Sequence, residues 1–343
     1  MRFIFAASVA ALARSQQQQA SLESLVENQQ WSQASSAVRQ AAGKNEAKFQ
    51  WLAARVRFAY GDLERAAALA EKAAALEPRN ADFQFLLFEV YGSQAQQASL
   101  LRQPGLARKC KRAVDEALAI DPKHIEALIG SMLYLYQAPG FFGGDKKRAL
   151  AIPGEIGKFN PARGHLAQAR LELLEKQYAK ARECYRQAVA ADPNLHAARV
   201  LLSSSLPEDP AQAEAQAREA VRINSKRVDG WDALAYALGR QGKTAELDRA
   251  IAQMEEPGGA FHGGRGLLDG GKDPAKAEHL FRQYLNRPAE GPGRPSKVMA
   301  HLRLATALER LGRKNEAVAA LEEGAKLDPK HAAIQKELKR LRG

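Results

Sequence analysis

The sequence predicts an all-α protein built from short antiparallel helix pairs that pack one after another. Three observations support this fold class. Apolar and small residues recur at steps of three and four within 298–331, which is typical of helices with one buried face. Prolines that can end a helix recur at similar spacing along the chain. Apolar stripes with the same helical period precede several of these prolines, as in 83–91.

The stretch 298–331 predicts two amphipathic helices joined by a tight turn. Gly312 can adopt a left-handed conformation at the end of the first helix, and Pro329 ends the second. Neither helix can bury its apolar stripe alone, so the pair requires neighbours on both sides. The stripe comprises Leu304, Ala305, Leu308, Ala317, Leu321 and Gly324.

The closing position recurs at Pro78, Pro122, Pro161, Pro193, Ser225, Pro257, Pro288 and Pro329. Successive gaps are 44, 39, 32, 32, 32, 31 and 41 residues. The longer gaps predict insertions, which we place near 93–105 and 137–144. Asp145 and Asp209 are expected to cap the helices that follow them, with Pro210 at a first helical position. A bundle of unrelated helices is the alternative to a repeat array.

The residues of 298–331 resemble the tetratricopeptide repeat, whose length is about 34 residues. The resemblance implies a right-handed α-solenoid of stacked antiparallel helix pairs, a superhelix whose concave face is lined by the first helix of each pair. It also implies that this face binds other proteins or peptides. We expect a repeat array over 44–288 and the best-matching repeat at 298–331.

Atypical segments flank this array. A divergent helix pair is expected over 14–43, a Pro/Gly loop over 289–297 and a charged capping helix over 332–343. Residues 1–13 contain one positive charge, an apolar run and a small-x-small end, which are typical of a signal peptide. We therefore expect a periplasmic or secreted protein with no transmembrane segment after signal removal. If the run is instead a buried first helix, the protein is cytoplasmic.

The motif content argues against catalysis. The chain contains no phosphate-binding GxxxxGK loop, no HExxH helix and no GxSxG elbow. No two of its seven histidines lie within five residues of each other, so none forms a local metal pair, and a solvated or capping role is expected. The two cysteines are expected to be small buried apolar groups. We predict no enzyme activity, no catalytic residues, no metal and no cofactor.

The charge balance bears on partners. The formal net charge is +12, which favours acidic partners. Basic residues are spread along the chain rather than clustered with aromatic residues, so no nucleic-acid partner is expected. The glycine-rich run 263–266 could form an anion-binding loop, although no strand precedes it.

The implied concave face contains candidate partner-binding residues on several first helices. Arginine presents a rigid fork suited to a carboxylate, although exposed arginines are most often simply solvated. Capture of a peptide's terminal carboxylate by an asparagine, as in one subclass of the family, is not indicated, because Arg170, Tyr236 and Thr306 occupy the equivalent positions. The candidates are Arg163, Arg170, Tyr236, Arg240, Thr306 and Arg310, with Asp229 and Asp232 on the same face as Tyr236.

Phe141 and Phe142 are the second candidate contact, because glycines flank these two large apolar side chains. Three arrangements are open for these side chains: they fill the local core, lie in the concave groove, or stay exposed to contact a partner. The leading hypothesis is a non-catalytic scaffold that binds an unidentified, acidic or mixed peptide in the concave groove. The alternative is an accessory or regulatory subunit of a cell-envelope enzyme or assembly machine, docking through its outer surface and the 139–145 loop.

Overall fold

The computed structural model describes residues 21–41, 43–254, 258–286 and 291–343. Within these ranges the chain is α-helical, with one 3-10 turn and no strand. None of these helices has the length and apolar character needed to cross a membrane. The predicted signal segment 1–13 and the first residues of the predicted loop 289–297 lie outside the described residues. The chain divides into two compact units, with the boundary between Asp192 and Pro193.

Unit 1 consists of helix pairs connected by short turns. Helices α3 and α4, α5 and α6, α7 and α8, and α9 and α10 form the pairs, and each pair packs on the next. The helices are α1 (21–27), α2 (Trp31–Gln40), α3 (Ala47–Ala59), α4 (Leu63–Leu76), α5 (Ala81–Gln97), α6 (Gln103–Ile120), α7 (Ile125–Gln137), α8 (Lys146–Gly157), α9 (Pro161–Leu174) and α10 (Tyr178–Ala191), with the 3-10 turn at Gly140–Phe142.

Unit 2 has the same construction. Each helix packs on its successor, except that α13 makes its most extensive contact with α15, past the short helix α14. The helices are α11 (His196–Ser204), α12 (Pro210–Ile223), α13 (Val228–Gln241), α14 (Thr244–Ala252), α15 (Gly258–Asp269), α16 (Pro274–Leu285), α17 (Lys297–Arg310), α18 (Lys314–Leu327) and α19 (Ala332–Arg342).

The local signals act as the sequence predicts. Gly312 has a φ of +75°, and Asp145 accepts a hydrogen bond of 2.9 Å from the Arg148 amide. Asp209 accepts one of 2.9 Å from the Gln212 amide, with Pro210 at the start of α12. The capping predictions are therefore confirmed. Pro153 lies inside α8, which nevertheless runs for 12 residues.

Glycine determines how closely α13 and α15 approach. A Cβ atom on Gly266 would lie 2.3 Å from the Tyr236 carbonyl oxygen, and one on Gly239 would lie 2.4 Å from the Gly263 carbonyl oxygen. Such distances are far inside van der Waals contact, so only glycine fits at these positions. This contact holds the inner face of α13 against α15, where the candidate site lies.

Candidate functional site

Unit 2 contains a cavity of about 210 Å³ between α13, α15 and the turn that leads from α11 into α12. Two predicted partner-binding residues, Tyr236 and Arg240, line it. We call it the polar cavity. Its lining comprises Ser203, Ser204, Leu206, Pro207, Pro210, Ala213, Asp229, Asp232, Ala233, Tyr236, Ala237, Arg240, His262 and Arg265.

Two arginines in the polar cavity have buried donors that lack an acceptor within the described part of the chain. These donors are the Nε atoms of Arg240 and Arg265. The Arg265 guanidinium lies over the Tyr236 ring at 4.1 Å, and its nearest carboxylate, Asp269, is 3.9 Å away. The Tyr236 hydroxyl donates to Asp269 at 3.1 Å, which fixes the ring. An unmet buried donor costs about 1–3 kcal/mol, so an oxygen acceptor bound here would recover stability.

Asp232 and His262 are largely buried in the same cavity. Their side chains are 18% and 19% exposed, and Asp232 Oδ1 has no hydrogen-bond partner among the residues that the structure describes. Burial raises the pKa of Asp232 to about 8, and the nearby carboxylate of Asp229 adds to this increase. The positive charges of Arg294 and Arg265 oppose it. Burial lowers the pKa of His262 to about 4, and Arg265 contributes to the decrease. Both groups are therefore uncharged at neutral pH.

The distance between these two groups limits their chemistry. Asp232 Oδ2 and His262 Nε2 are 3.9 Å apart, beyond hydrogen-bond distance. A general acid–base pair requires direct contact or a bridging water. With both side chains neutral, the charged groups of the cavity lining are Arg240, Arg265 and Asp229, and the two arginines make the site suited to binding an anion.

The Asp229 carboxylate is hydrogen-bonded to neighbouring groups of unit 2. It accepts hydrogen bonds from Arg227 Nη2 at 2.6 Å and from His196 Nε2 at 2.7 Å. The His196 Nδ1 atom lies 2.9 Å from the Ala220 carbonyl oxygen. Burial opposes ionisation of Asp229, but these hydrogen bonds prevail and hold its pKa well below the usual range. The group joins α11, α12 and α13 beside the polar cavity.

The structure places Thr306 and Arg310 outside the polar cavity. The Thr306 hydroxyl donates to the Leu302 carbonyl oxygen at 3.1 Å, within its own helix. The Arg310 guanidinium donates to the Leu268 carbonyl oxygen at the end of α15. Arg310 therefore satisfies a helix C-terminus and is not positioned with Arg240.

The predicted arginines of unit 1 lie near acidic groups. Arg163 donates to Glu126, whereas Arg170 is exposed and makes no hydrogen bond or ion pair within the described ranges. Burial raises the pKa of Glu89 to about 7, and the nearby carboxylate of Glu126 adds to the increase. The positive charge of Arg55 opposes it, and that of Arg170 opposes it more weakly. These arginines therefore share the surface with carboxylates and form no cluster of unpaired cations.

The Phe141–Phe142 loop is mainly a surface feature. Phe141 is 83% exposed, while Phe142 is partly buried. Their ring centroids are 4.6 Å apart, and the Tyr134 hydroxyl donates to the Phe142 carbonyl oxygen at 2.8 Å. Phe141 does not fill the core of unit 1.

Sequence reasoning gave His262 no role in a site and considered Arg265 only as part of a glycine-rich loop. The glycine run 263–266 is not a loop but part of α15, which corrects the anion-loop interpretation. His262 and Arg265 are three residues apart and Asp269 is four further on, a spacing that places all three on one helix face once 258–269 is helical. The capping role expected for histidines is confirmed at His124 and His331, whose side chains accept from the amides of Ala127 and Ile334.

The cysteines match their prediction. Cys110 and Cys184 are both buried and free. Burial raises the pKa of the Cys110 thiol to about 12, so this group is neutral at physiological pH. It behaves as a small apolar group within unit 1.

Comparisons with known proteins agree with this fold. Tetratricopeptide repeat models match residues 162–195 and 298–341. The crystal structure of yeast Tom70 is similar with a TM-score of 0.52 at 13% identity, covering 88% of this chain and 64% of that one. A tetratricopeptide repeat protein from Parabacteroides merdae gives 0.44 at 15% identity, covering 87% and 99%. No curated protein matches the chain. Proteins with this repeat are typically non-catalytic interaction scaffolds, and this chain matches the repeat at these two stretches.

Proposed function

We propose that this chain is a non-catalytic scaffold that binds an acidic segment of a partner protein at the polar cavity of unit 2. Arg240 and Arg265 receive a carboxylate of that segment. The observation that supports the proposal is that the buried Nε atoms of two arginines lining one cavity have no acceptor among the described residues. Hydrogen bonds between charged groups contribute about 1.5–3 kcal/mol each, so two of them can anchor a peptide side chain.

The surroundings of the arginines favour an anion over a cation. Asp232 is uncharged at neutral pH, and Asp229 is already paired with His196 and Arg227. A volume of about 210 Å³ suits one side chain rather than a large ligand. The formal net charge of +12 adds a long-range attraction for acidic segments.

The experiment uses fluorescence anisotropy with a labelled peptide rich in glutamate, and the same peptide with glutamine in place of glutamate. Arg240→Gln and Arg265→Gln should each weaken binding of the acidic peptide by about tenfold or more. Arg222→Gln is the matched control, because Arg222 is an exposed arginine of unit 2 paired with Glu219 outside the cavity. Equal losses in all three variants would assign the binding to net charge and refute the site. Circular dichroism verifies that each variant is folded.

The compartment proposed is the periplasm or the cell exterior. The support is the apolar run after Arg2 that ends in Ala11-Leu12-Ala13. Mass spectrometry of the protein purified from its native cells tests this proposal. A chain that begins near residue 14 is expected, whereas a chain that retains Met1 or Arg2 in a cytosolic fraction would exclude cleavage at this site.

The second candidate function is an accessory subunit that docks through the 139–145 loop. The 83% exposure of Phe141 favours it, because a large aromatic side chain in water is stabilised when a partner covers it. Phe141→Ser should remove such a contact without loss of helicity, as measured by co-purification and circular dichroism. A Phe141→Ser variant that unfolds would show that this ring contributes to folding.

A further inference from the structure

The two insertions predicted from the repeat spacing border one groove in unit 1. The groove has a volume of about 580 Å³ and lies between α5, α6, α7 and the 3-10 turn. One wall comes from the end of α5 and the start of α6, on either side of 98–102, and the other from 137–142. The lining comprises Phe88, Glu89, Gly92, Ser93, Ala95, Gln96, Gln103, Ala107, Cys110, Leu133, Tyr134, Gln137, Ala138, Pro139 and Phe142. We call it the insertion groove.

The lining of the insertion groove suits apolar side chains. Aromatic and aliphatic residues form most of it, and none of its described lining residues is a lysine or an arginine. Its single carboxylate, Glu89, has a pKa raised by burial to about 7, so half of it is neutral at that pH. A Cβ atom on Gly92 would contact Cys110 Sγ at an ordinary 3.5 Å, so α5 and α6 are in van der Waals reach at the floor of the groove.

The segments that border the insertion groove carry the three most exposed large apolar side chains of the described residues. Leu101 is 94% exposed, Phe141 83% and Leu100 82%. Leu100 and Leu101 lie in the 98–102 connection, and Phe141 lies in the 3-10 turn. Burial of apolar area contributes about 25 cal/mol per Å², so a partner that covers these side chains gains affinity from both segments.

The charges beside the Phe141 end of the groove are mainly positive. Arg108, Lys111 and Arg112 surround the two phenylalanines, with one carboxylate, Asp115, among them. Lys111 pairs with Asp115 at 2.6 Å. Arg108 is exposed, and its guanidinium donates only to the Pro104 carbonyl oxygen at 3.3 Å, so it forms no ion pair within the described chain. A partner that reaches this end gains from an acidic residue.

We propose that the insertion groove binds an amphipathic helix of a partner protein, with the apolar face of that helix in the groove and its acidic residues against Arg108. A groove flanked by exposed leucines and phenylalanine fits the regular apolar stripe of a helix. A flat lipid surface would cover the exposed side chains but leave the groove itself unfilled. The site deepens the second candidate function, because it names the class of segment that docks beside the 139–145 loop.

The test measures binding of a labelled synthetic amphipathic helix made of leucine, alanine and glutamate. Two control peptides are used: a scrambled version of the same composition, and a version with lysine in place of glutamate. The designed helix should bind saturably, and both controls should bind at least about tenfold more weakly. Equal binding of the scrambled peptide would overturn the proposal, because it would show that no helical face is recognised.

Variants of the chain locate the binding. Ala95→Trp fills the groove, and Leu101→Ser removes an exposed contact; each should weaken binding by about tenfold or more. Leu150→Ser, at an exposed leucine outside the groove, is the matched control and should leave affinity unchanged. Unaltered affinity in folded Ala95→Trp would overturn the groove. Binding to phosphatidylglycerol vesicles that depends on Leu101, without binding of the helix, would assign the surface to a membrane and also overturn it.

Binding at the insertion groove can be tested independently of binding at the polar cavity of unit 2. Arg240→Gln should leave binding of the designed helix unchanged, and Ala95→Trp should leave binding of the glutamate-rich peptide unchanged. If Phe141→Ser abolishes helix binding while Ala95→Trp does not, the loop alone is the contact. That result would refute the insertion groove and retain the second candidate function.

Discussion

Replacement of Asp232 by asparagine should stabilise unit 2 above neutral pH. The Asp232 carboxyl group is largely buried, its Oδ1 atom has no partner in the described ranges, and burial raises its pKa to about 8. Asparagine has nearly the same shape but no ionisable group. The substitution therefore retains the packing and removes the cost of a buried negative charge.

The sign of the pH dependence follows from linkage. The pKa of Asp232 in the folded chain, about 8, is well above the value near 3.9 expected in the unfolded chain. Between these values the folded state retains a proton that the unfolded state has lost. The free energy of unfolding therefore decreases as pH rises from about 4 to 8. One pKa unit corresponds to about 1.4 kcal/mol, and with the partial exposure of the group we expect Asp232→Asn to gain about 2–4 kcal/mol at pH 8.

Neighbouring groups make a difference measurement necessary. His262 has a pKa lowered to about 4, so its contribution to stability is lost as pH falls from about 6.5 to 4. Asp229 adds to the pKa shift of Asp232, while Arg265 and Arg294 oppose it. The difference between Asp232→Asn and the parent chain cancels the titrations that the two proteins share.

The assay is urea unfolding followed by the fluorescence of Trp231, which lies in α13 close to Asp232. Trp31→Phe and Trp51→Phe in both proteins leave Trp231 as the only tryptophan, so the signal reports on unit 2. Asp248→Asn, at an exposed carboxylate paired with Lys276, is the control and should show little pH-dependent gain. A pH-independent difference would show that folding does not raise the pKa of Asp232, and destabilisation by Asp232→Asn at pH 8 would show that the carboxylate is ionised and paired in the folded chain.

Four further predictions concern the packing and the polar cavity. Gly164→Ala should destabilise unit 1 by about 1–3 kcal/mol in thermal unfolding, because the added Cβ atom would lie 2.7 Å from Gly157 Cα. Gly154→Ala should stabilise the same unit by about 0.5–1 kcal/mol, because its Cβ atom meets no described atom within 4 Å. Arg310→Gln should cost about 1–2 kcal/mol in urea unfolding, because the Leu268 carbonyl oxygen loses a charged donor. Binding of the glutamate-rich peptide should weaken above about pH 8, as Asp232 ionises beside the arginines, and anisotropy titrations should show no such loss in Asp232→Asn.

Local signals made most of the fold predictable. Glycine at a left-handed position and aspartate before a helix act through atoms a few residues away, so Gly312, Asp145 and Asp209 could be assigned from sequence. The helix-period stripes likewise identified the buried residues of α5, where Phe83, Leu86 and Val90 lie in the core. Each of these features is determined by residues close to it in the sequence.

The parts of the site that were missed depend on distant neighbours. Glycine lowers helix propensity by about 1 kcal/mol relative to alanine, so the crowded glycines of α15 indicated a weak segment or a loop. In the structure the same glycines allow α15 to pack against the backbone of α13, and this contact offsets their low propensity. His262 and Arg265 face the polar cavity only because that packing occurs. The burial of Glu89 had no local signal either, because it depends on the residues that surround α5 in the folded unit.

Both candidate sites lie where the chain departs from its repeat. In a regular array each helix pair buries its stripe on the next, which leaves little space between pairs. The nine-residue helix α11, with the Pro207–Pro210 turn after it, forms one wall of the polar cavity. The connections after α5 and α7 form the walls of the insertion groove. Regular repeats therefore account for stability, whereas the irregular segments create the spaces and unpaired groups that a partner can use, and substitutions there should alter binding more than folding.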